Sequence, residues 1–168
     1  MAMRAGIALG SNLGDRRQQL CEARRQILEL PDVSPPALFS SIYETEPVNC
    51  ETGASKFINA VIEVGFERAP LSLLHALRRI EEAMGRSPRH ERNRSRTIDL
   101  DLLYCGDWTQ NTPELQLPHP RLHLRRFVLE PLVEIRPDLE LPGNNQAIRD
   151  LLTRVENEPL VVRASEQW

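Results

Sequence analysis

The sequence predicts an α+β fold, with a ferredoxin-like βαββαβ core followed by additional C-terminal helices. Two observations predict it. Apolar residues recur with strand spacing in four segments and with helical spacing in two, and these segments follow one another as strand, helix, strand, strand, helix, strand. The 168 residues, 40% of them hydrophobic, can bury a core without disulfides or a structural metal. Residues 1–168 are therefore predicted to form a single domain.

The first strand and helix are predicted between residue 4 and about residue 30. Residues 4–9 alternate weakly and suit a strand, which ends at a Gly-Ser-Asn turn. Ser11 or Asn12 is predicted to cap the following helix, because both types accept hydrogen bonds from the first free backbone amides. Apolar residues at helical spacing then continue to about Leu30, just before a proline.

Two strands and a second helix are predicted next. Val33 to Tyr43 suits an edge strand, because a Pro-Pro pair interrupts it early. A further strand runs from Phe57 to Phe66, and Pro70 opens a helix that continues to Met84. The loop from Thr45 to Gly53 exceeds a tight hairpin, and such loops tend to carry function. Alternation in the Phe57 strand gives one face to Phe57, Asn59, Val61 and Glu63.

The last core strand, Thr97 to Tyr104, carries two carboxylates inside an apolar run. Strand geometry places Asp99 and Asp101 on one face and Tyr104 on the other. Carboxylates at this spacing repel each other unless a cation lies between them. Oxygen ligands without His or Cys beside them favour Mg²⁺ or Mn²⁺. On these residues alone, an alternative stays open in which one Asp faces water and the other pairs with an arginine.

Residues 86–96, directly before this strand, carry five arginines, although the formal net charge of the chain is −3. A cationic loop leading into a dicarboxylate strand suits a metal-bound nucleoside triphosphate, because arginines bind phosphate oxygens in bidentate fashion. A solvated surface and a nucleic-acid contact are the alternatives. The isoelectric point of about 5.8 leaves the basic patch isolated, which favours a local site.

The C-terminal third is predicted to contain loops and two short helices. Leu117 to Phe127 holds two histidines and three arginines among prolines, and helices are predicted at Phe127 to Ile135 and at Gln146 to Val155. Three cysteines without metal-ligand spacing predict a reduced, cytoplasmic protein. The N-terminus contains no apolar stretch that predicts a signal peptide or a membrane anchor.

Several motifs occur in an order and spacing that together resemble one enzyme family. They are Gly10-Ser11-Asn12, Tyr43-x-Thr45-x-Pro47, Phe57-x-Asn59, Arg96-Thr97-Ile98-Asp99-Leu100-Asp101, Pro118-His119-Pro120-Arg121 and Phe127-Val128-Leu129-x-Pro131-Leu132. This set resembles the 6-hydroxymethyl-7,8-dihydropterin pyrophosphokinase family of folate biosynthesis. The resemblance implies a ferredoxin-like, Mg-ATP-dependent enzyme that transfers diphosphate from ATP to the pterin hydroxymethyl group and releases AMP.

The resemblance also implies roles for individual residues. Asp99 and Asp101 are expected to hold two Mg²⁺ ions and, with Arg92 and Arg96, to form the catalytic group. ATP contacts are implied for Glu81, Arg89, Arg92, Arg96, Leu102, His119 and Arg125. Pterin contacts are implied for Thr45, Val48, Phe57, Asn59 and Phe127, with the ring stacked between the two phenylalanines. The expected partners are these small molecules, without nucleic acid or membrane, and the chain is expected to be a monomer.

The chain departs from the family pattern in the arginine loop. Asn93 stands where members often carry an aromatic residue of a lid, and Pro88 stands where members carry a phosphate-binding arginine, although Arg86 and Arg89 flank it. Two other functions share part of this pattern. A nucleotidyltransferase also pairs a Gly-Ser turn with an Asp-x-Asp strand, but there the two lie close in sequence, unlike Ser11 and Asp99. An RNA-binding module of this fold would expose several aromatic residues on its sheet.

Overall fold

A computed structural model of the chain describes residues 1–47, 52–85 and 97–168. The helices are α1 (Arg16–Leu28), α2 (Pro70–Ala83), α3 (Arg126–Ile135) and α4 (Ile148–Leu152). The longer strands are β1 (Met3–Ser11), β2 (Val33–Phe39), β3 (Ile42–Thr45), β4 (Phe57–Phe66) and β5 (Asp99–Cys105). Shorter strands follow: β6 (Gln110–Asn111), β7 (Gln116–Leu117), β8 (Glu140–Leu141), β9 (Asn144–Ala147) and β10 (Val161–Ser165).

A six-stranded antiparallel sheet runs through the centre of the molecule. Its order is β10-β3-β4-β1-β5, and β2 also pairs with β4. The strands β5, β1, β4 and β3 therefore stand in the order of a ferredoxin-like sheet, and the predicted α+β fold class is confirmed. The sequence analysis missed β10, which lengthens the sheet beyond β3.

Each face of the sheet is covered by its own pair of helices. The residues Leu20, Ile27 and Leu77 of α1 and α2 join a buried cluster on one face. The residues Leu129 of α3 and Ile148 of α4 belong to a second buried cluster on the other face. We call these surfaces of the sheet the α1/α2 face and the α3/α4 face. Among the described residues, no helix is both long and apolar enough to cross a lipid bilayer.

The predicted boundaries agree with the structure for β4 and closely for α2, but α1 begins later than predicted. The strand β1 continues through Ser11, because its backbone pairs with Ile58 of β4. The helix then begins at Arg16, and the carboxylate of Asp15 accepts a hydrogen bond from the Gln18 amide at 3.0 Å. The prediction of Ser11 or Asn12 as the N-cap is therefore wrong.

Two other segments differ from their predicted form. The single strand predicted from residue 33 to 43 is divided at Ser40, whose amide donates to the Val61 carbonyl at 2.9 Å and whose hydroxyl accepts from the Val61 amide at 2.9 Å. The helix predicted over residues 146–155 contracts to α4, because residues 144–147 pair with β8 instead.

A bulge in β5 changes the direction of one aromatic side chain. The β1–β5 register shifts so that Gly6 pairs with Tyr104 and Ile7 with Leu102, which leaves Leu103 as an extra residue. Tyr104 consequently joins the cluster on the α3/α4 face, together with Leu103. Its prediction on the face opposite Asp99 and Asp101 is therefore wrong, because regular alternation does not continue through a bulge.

The Tyr104 ring lies directly over Gly6, which leads to a stability prediction. A Cβ atom at Gly6 would lie 2.6 Å from Cζ of Tyr104. Gly6→Ala should therefore lower the free energy of unfolding by about 1–3 kcal/mol, the usual cost of overpacking, as measured by urea denaturation. In a Tyr104→Leu background the same substitution should cost less, because the ring is absent. An equal cost in both backgrounds would contradict this account.

Candidate active site

A pocket opens on the α3/α4 face where β4, β1 and β5 lie side by side. Gly10 of β1 pairs with Asn59 on one side and with Asp99 on the other, and Ala8 pairs with Asp101. With strands about 4.8 Å apart, Asn59 and Asp99 lie about 10 Å from each other across the small residues of β1. The lining includes Ala8, Gly10, Asn59, Asp99, Asp101 and Phe127.

The two carboxylates lie on the same face of β5, as the strand geometry predicted. Both are half-buried and line the pocket. Nη1 of Arg125 lies 3.4 Å from Oδ2 of Asp101, so this carboxylate has a cationic neighbour from the start of α3. Burial lowers the pKa of Arg125, and Asp101 opposes that effect. The guanidinium also lies 5.6 Å from the centroid of the Phe127 ring.

His119 lies beside Arg125, and hydrogen bonds with backbone groups hold it in position. Its amide donates to the Leu103 carbonyl at 2.7 Å, and its Nδ1 atom accepts from the Arg121 amide at 3.2 Å. Burial, together with the charges of Arg125 and Arg121, lowers the pKa of His119 to about 4. The imidazole is therefore neutral at physiological pH, and because Nδ1 accepts, the proton lies on Nε2. The ring can donate this proton in a hydrogen bond to a phosphate oxygen.

The wall of the pocket opposite the carboxylates is formed by the side-chain amide of Asn59, close to the chain that precedes Phe57. The side chain of Asn59 is buried, and its Nδ2 atom donates to Oγ1 of Thr45 at 3.0 Å. This bond fixes the orientation of the amide, which leaves its remaining groups for a ligand edge. Phe57 precedes Asn59 on the same strand face, is half-buried and pairs with Thr45. Asn12 donates to the Ser55 carbonyl at 3.3 Å, which ties the chain before Phe57 to the end of β1.

Not all of the predicted site residues meet in this pocket. Leu102 is buried in the cluster on the α1/α2 face, away from the carboxylates. The carboxylate of Glu81 is buried on α2 and accepts a hydrogen bond from the Leu100 amide at 2.7 Å, so it joins α2 to β5. The predictions for Val48, Arg89, Arg92 and Arg96, and the departures at Pro88 and Asn93, concern residues outside the described ranges.

Sequence reasoning missed the floor of the pocket. Ala8 and Gly10 lie between the amide wall, formed by Asn59, and the carboxylate wall, formed by Asp99 and Asp101. An added Cβ at Gly10 would lie 3.2 Å from Oδ1 of Asn59. The signal was present in the sequence, because Gly6, Ala8 and Gly10 alternate with larger apolar residues in β1. A central strand with small residues on one face leaves room for a ligand on that face.

A match to a protein-family model identifies the enzymes with which this site can be compared. Residues 6–137 match the model of 7,8-dihydro-6-hydroxymethylpterin-pyrophosphokinase (HPPK). The chain belongs to the HPPK family. The family resemblance inferred from the motifs is thereby confirmed, and the pocket described above is the candidate active site of an HPPK-family protein.

Two curated relatives are similar to this HPPK-family chain over most of their length. Each is called a 2-amino-4-hydroxy-6-hydroxymethyldihydropteridine pyrophosphokinase. The Pseudomonas aeruginosa protein is 39% identical over 142 residues, which cover 84% of this chain and 86% of the relative. The Haemophilus influenzae protein is 38% identical over 157 residues, which cover 94% and 96%.

A solved structure supports the fold of this HPPK-family chain. The Plasmodium falciparum HPPK-DHPS structure superimposes with a TM-score of 0.71 and 17% identity over 92% of this chain. The chain spans less than half of that longer protein, 44% of its length. At this identity the likeness concerns the fold alone.

Proposed function

We propose that this chain transfers the diphosphoryl group of ATP to the hydroxymethyl oxygen of 6-hydroxymethyl-7,8-dihydropterin, giving the pterin diphosphate and AMP in folate biosynthesis. The observation that carries the proposal is the juxtaposition in one pocket of a fixed amide, an aromatic ring and a carboxylate pair. Asn59 and Phe127 suit a flat heterocycle with polar edges, and Asp99 and Asp101 suit a metal-bound polyphosphate. The names of the relatives support the pterin substrate and the pyrophosphokinase reaction.

The residues of the pocket fit Mg²⁺ bound together with ATP. Asp99 and Asp101 offer hard oxygen ligands from one strand face, which Mg²⁺ prefers. The described part of the chain contains no cluster of three or more His, Cys, Asp or Glu side chains placed to hold a metal. Mg²⁺ usually takes one or two carboxylates and completes its coordination with phosphate oxygens and water, so this pair suits two ions that arrive with the nucleotide. When bound, the ions neutralise charge on the phosphoryl oxygens.

The described side chains around the carboxylates have the chemistry to hold the triphosphate. Arg125 supplies a guanidinium that can bind phosphate oxygens, and neutral His119 supplies an Nε2 donor. In the proposed reaction, the hydroxymethyl oxygen of the pterin forms a bond to the β-phosphorus and loses its proton. The bond between the β-phosphorus and the α-phosphate oxygen breaks, and AMP leaves with that oxygen. Positioning and charge stabilisation carry most of such transfers, so no protein nucleophile is required. Arg92 and Arg96, with Arg89, Glu81 and Leu102, remain assigned to catalysis or ATP by family resemblance.

The proposal is tested by identifying the products. Purified chain with ATP, Mg²⁺ and 6-hydroxymethyl-7,8-dihydropterin should form AMP and pterin diphosphate in equal amounts, measured by chromatography. Omission of the pterin should abolish AMP formation. Release of pyrophosphate with transfer of AMP would instead indicate the rival nucleotidyltransferase, and absence of any transfer would refute the proposal.

The geometry also predicts that the two substrates bind cooperatively. Among the described residues, the small side chains of β1 lie between Asn59 on one side and Asp99 and Asp101 on the other, so a nucleotide bound at the carboxylates would form one side of the pterin pocket. A Mg-bound, non-hydrolysable ATP analogue should therefore tighten pterin binding by about 5-fold or more, the lower end of ordinary coupling energies. Linkage requires the pterin to tighten analogue binding by the same factor. Identical pterin affinities in calorimetry, with and without the analogue, would contradict this prediction.

A further inference from the structure

A fully buried carboxylate lies on the α3/α4 face, outside the pocket. The side chain of Glu63 in β4 has 0% exposure, and such carboxylates are rare unless they are paired. Glu63 accepts a hydrogen bond from Nε of Arg4 at 2.8 Å and two from Nη1 of Arg136 at 2.7 and 2.6 Å. It also accepts a hydrogen bond from the Tyr104 hydroxyl. We call these four residues the Glu63 cluster.

Each member of the Glu63 cluster comes from a different element. Arg4 belongs to β1, Glu63 to β4 and Tyr104 to β5, and Arg136 is the residue that ends α3. Tyr104 reaches the cluster only because the bulge in β5 turns it to the α3/α4 face above Gly6. Burial alone would raise the pKa of Glu63, but hydrogen bonds from Tyr104, Arg136 and Arg4 lower it, so the group is charged at neutral pH.

The same four elements carry the pocket. Gly10 lies in β1, Asn59 in β4, Asp101 in β5 and Phe127 in α3. Glu63 and Asn59 share one strand face and are four residues apart, which is about 13 Å along β4. The helix α3 is 10 residues long, which corresponds to about 15 Å. Phe127 lies in its first turn, and Arg136 directly follows its last residue.

Among the described residues, the polar links between α3 and the sheet are more numerous at the C-terminal end of the helix than at its start. Besides Arg136, Glu134 accepts hydrogen bonds from the Ser41 amide at 2.9 Å and from the Tyr43 hydroxyl at 3.0 Å. At the start of α3, Arg125 lies 3.4 Å from Asp101 of β5, and Val128 and Leu129 add apolar contacts. A displacement of the C-terminal end is transmitted to Phe127 through the length of the helix, and a tilt of about 5° over 15 Å displaces the far end by roughly 1 Å.

We infer that Glu63 is a positioning residue of the active site, which fixes α3 against β1, β4 and β5 and so sets the distance between Phe127 and the Asn59 wall. The inference rests on the proposed function, because its effect is read out through the pterin. Neutral Gln in place of Glu63 would leave the half-buried guanidinium groups of Arg4 and Arg136 close together without their counter-charge, and α3 would have to shift to separate them. Misplacement by about 1 Å is enough to reduce catalysis substantially.

The test compares Glu63→Gln with a variant that has lost similar stability elsewhere. Ile27→Ala in α1 is that control, because Ile27 is fully buried on the α1/α2 face and contacts neither the cluster nor the pocket. Its truncation to Ala costs stability comparable to the loss of one partner of a buried ion pair. Assays run well below the unfolding temperature of both variants. We expect Glu63→Gln to raise the pterin KM by 5- to 20-fold and Ile27→Ala to leave it within twofold. Arg136→Lys, which keeps the charge, should raise the pterin KM less than Arg136→Met.

Each outcome decides between a structural and a positioning role. If Glu63→Gln unfolds more easily but keeps the pterin KM of the parent, the Glu63 cluster serves stability alone and the inference is wrong. If Glu63→Gln does not fold, Tyr104→Phe replaces it, since it removes one donor of the cluster; a two- to fivefold rise in pterin KM supports the inference, and an unchanged KM overturns it. A parent chain without transferase activity would refute the proposed function itself and the inference with it.

Discussion

Replacement of Asp101 by Asn is expected to lower kcat by about 100- to 1000-fold, while the chain remains folded. The amide keeps the shape of the carboxylate but has no charge to offer a divalent cation. A lost charge contact to the reacting phosphoryl group costs about 3–4 kcal/mol of transition-state stabilisation, and each 1.36 kcal/mol is a factor of ten in rate. Asp99→Asn should have an effect of similar size. The measurement is steady-state AMP formation at several Mg²⁺ concentrations.

The matched control is Asp107→Asn, because Asp107 is an exposed carboxylate in the turn directly after β5. That variant should retain the parent kcat and the parent dependence on Mg²⁺. Circular dichroism and the unfolding midpoint of all three variants should show that the fold is intact. Near-normal turnover of Asp101→Asn at low Mg²⁺ would show that the carboxylate is not a metal ligand.

Regular alternation explains why much of the fold and part of the site could be predicted from the sequence. The strand β4 has the predicted boundaries, and its alternation placed Asn59 and Glu63 on one face, as observed. The same rule placed Asp99 and Asp101 side by side on β5. These predictions needed only local geometry, because the period of a strand determines which side chains share a face.

The failures occurred where distant residues override the local pattern. Tyr104 lies on the unexpected face because β5 bulges against β1, and Ser40 divides a strand because it bonds to Val61 of β4. Asp15 caps α1 in place of Ser11, since β4 keeps Ser11 in the sheet. None of these pairings can be obtained from the spacing of residues in one segment, because register depends on both strands.

The Glu63 cluster shows the same limit at the level of function. Glu63 was placed on the correct face, but its partners Arg4 and Arg136 are 59 and 73 residues away in sequence. A lone acid in an apolar strand only indicates that a positive partner exists somewhere, because a buried charge requires one. The identity of that partner, and the fact that it ends the helix carrying Phe127, required the three-dimensional structure.

Replacement of Phe127 by Ala is expected to weaken pterin binding by about 5- to 150-fold, corresponding to the 1–3 kcal/mol that stacking of a flat heterocycle on an aromatic side chain contributes. Phe127 is half-buried, lines the pocket and lies under the guanidinium of Arg125. Loss of the ring removes a weak cation–π contact as well, worth about 0.5–1 kcal/mol at exposed sites. The affinity for a Mg-ATP analogue should therefore fall by no more than about 5-fold.

Two further variants separate stacking from packing. Phe127→Leu keeps most of the apolar volume, so the free energy of unfolding should change by less than about 1.5 kcal/mol, yet pterin binding should still weaken because the flat face is gone. Phe39→Ala removes a comparable ring on the α1/α2 face, where Phe39 contacts Arg24 at 5.3 Å, and should leave pterin affinity unchanged. Isothermal calorimetry with the Mg-ATP analogue present measures all three. If Phe127→Leu binds pterin like the parent, the ring only fills space at the start of α3, and the pterin must lie elsewhere in the pocket.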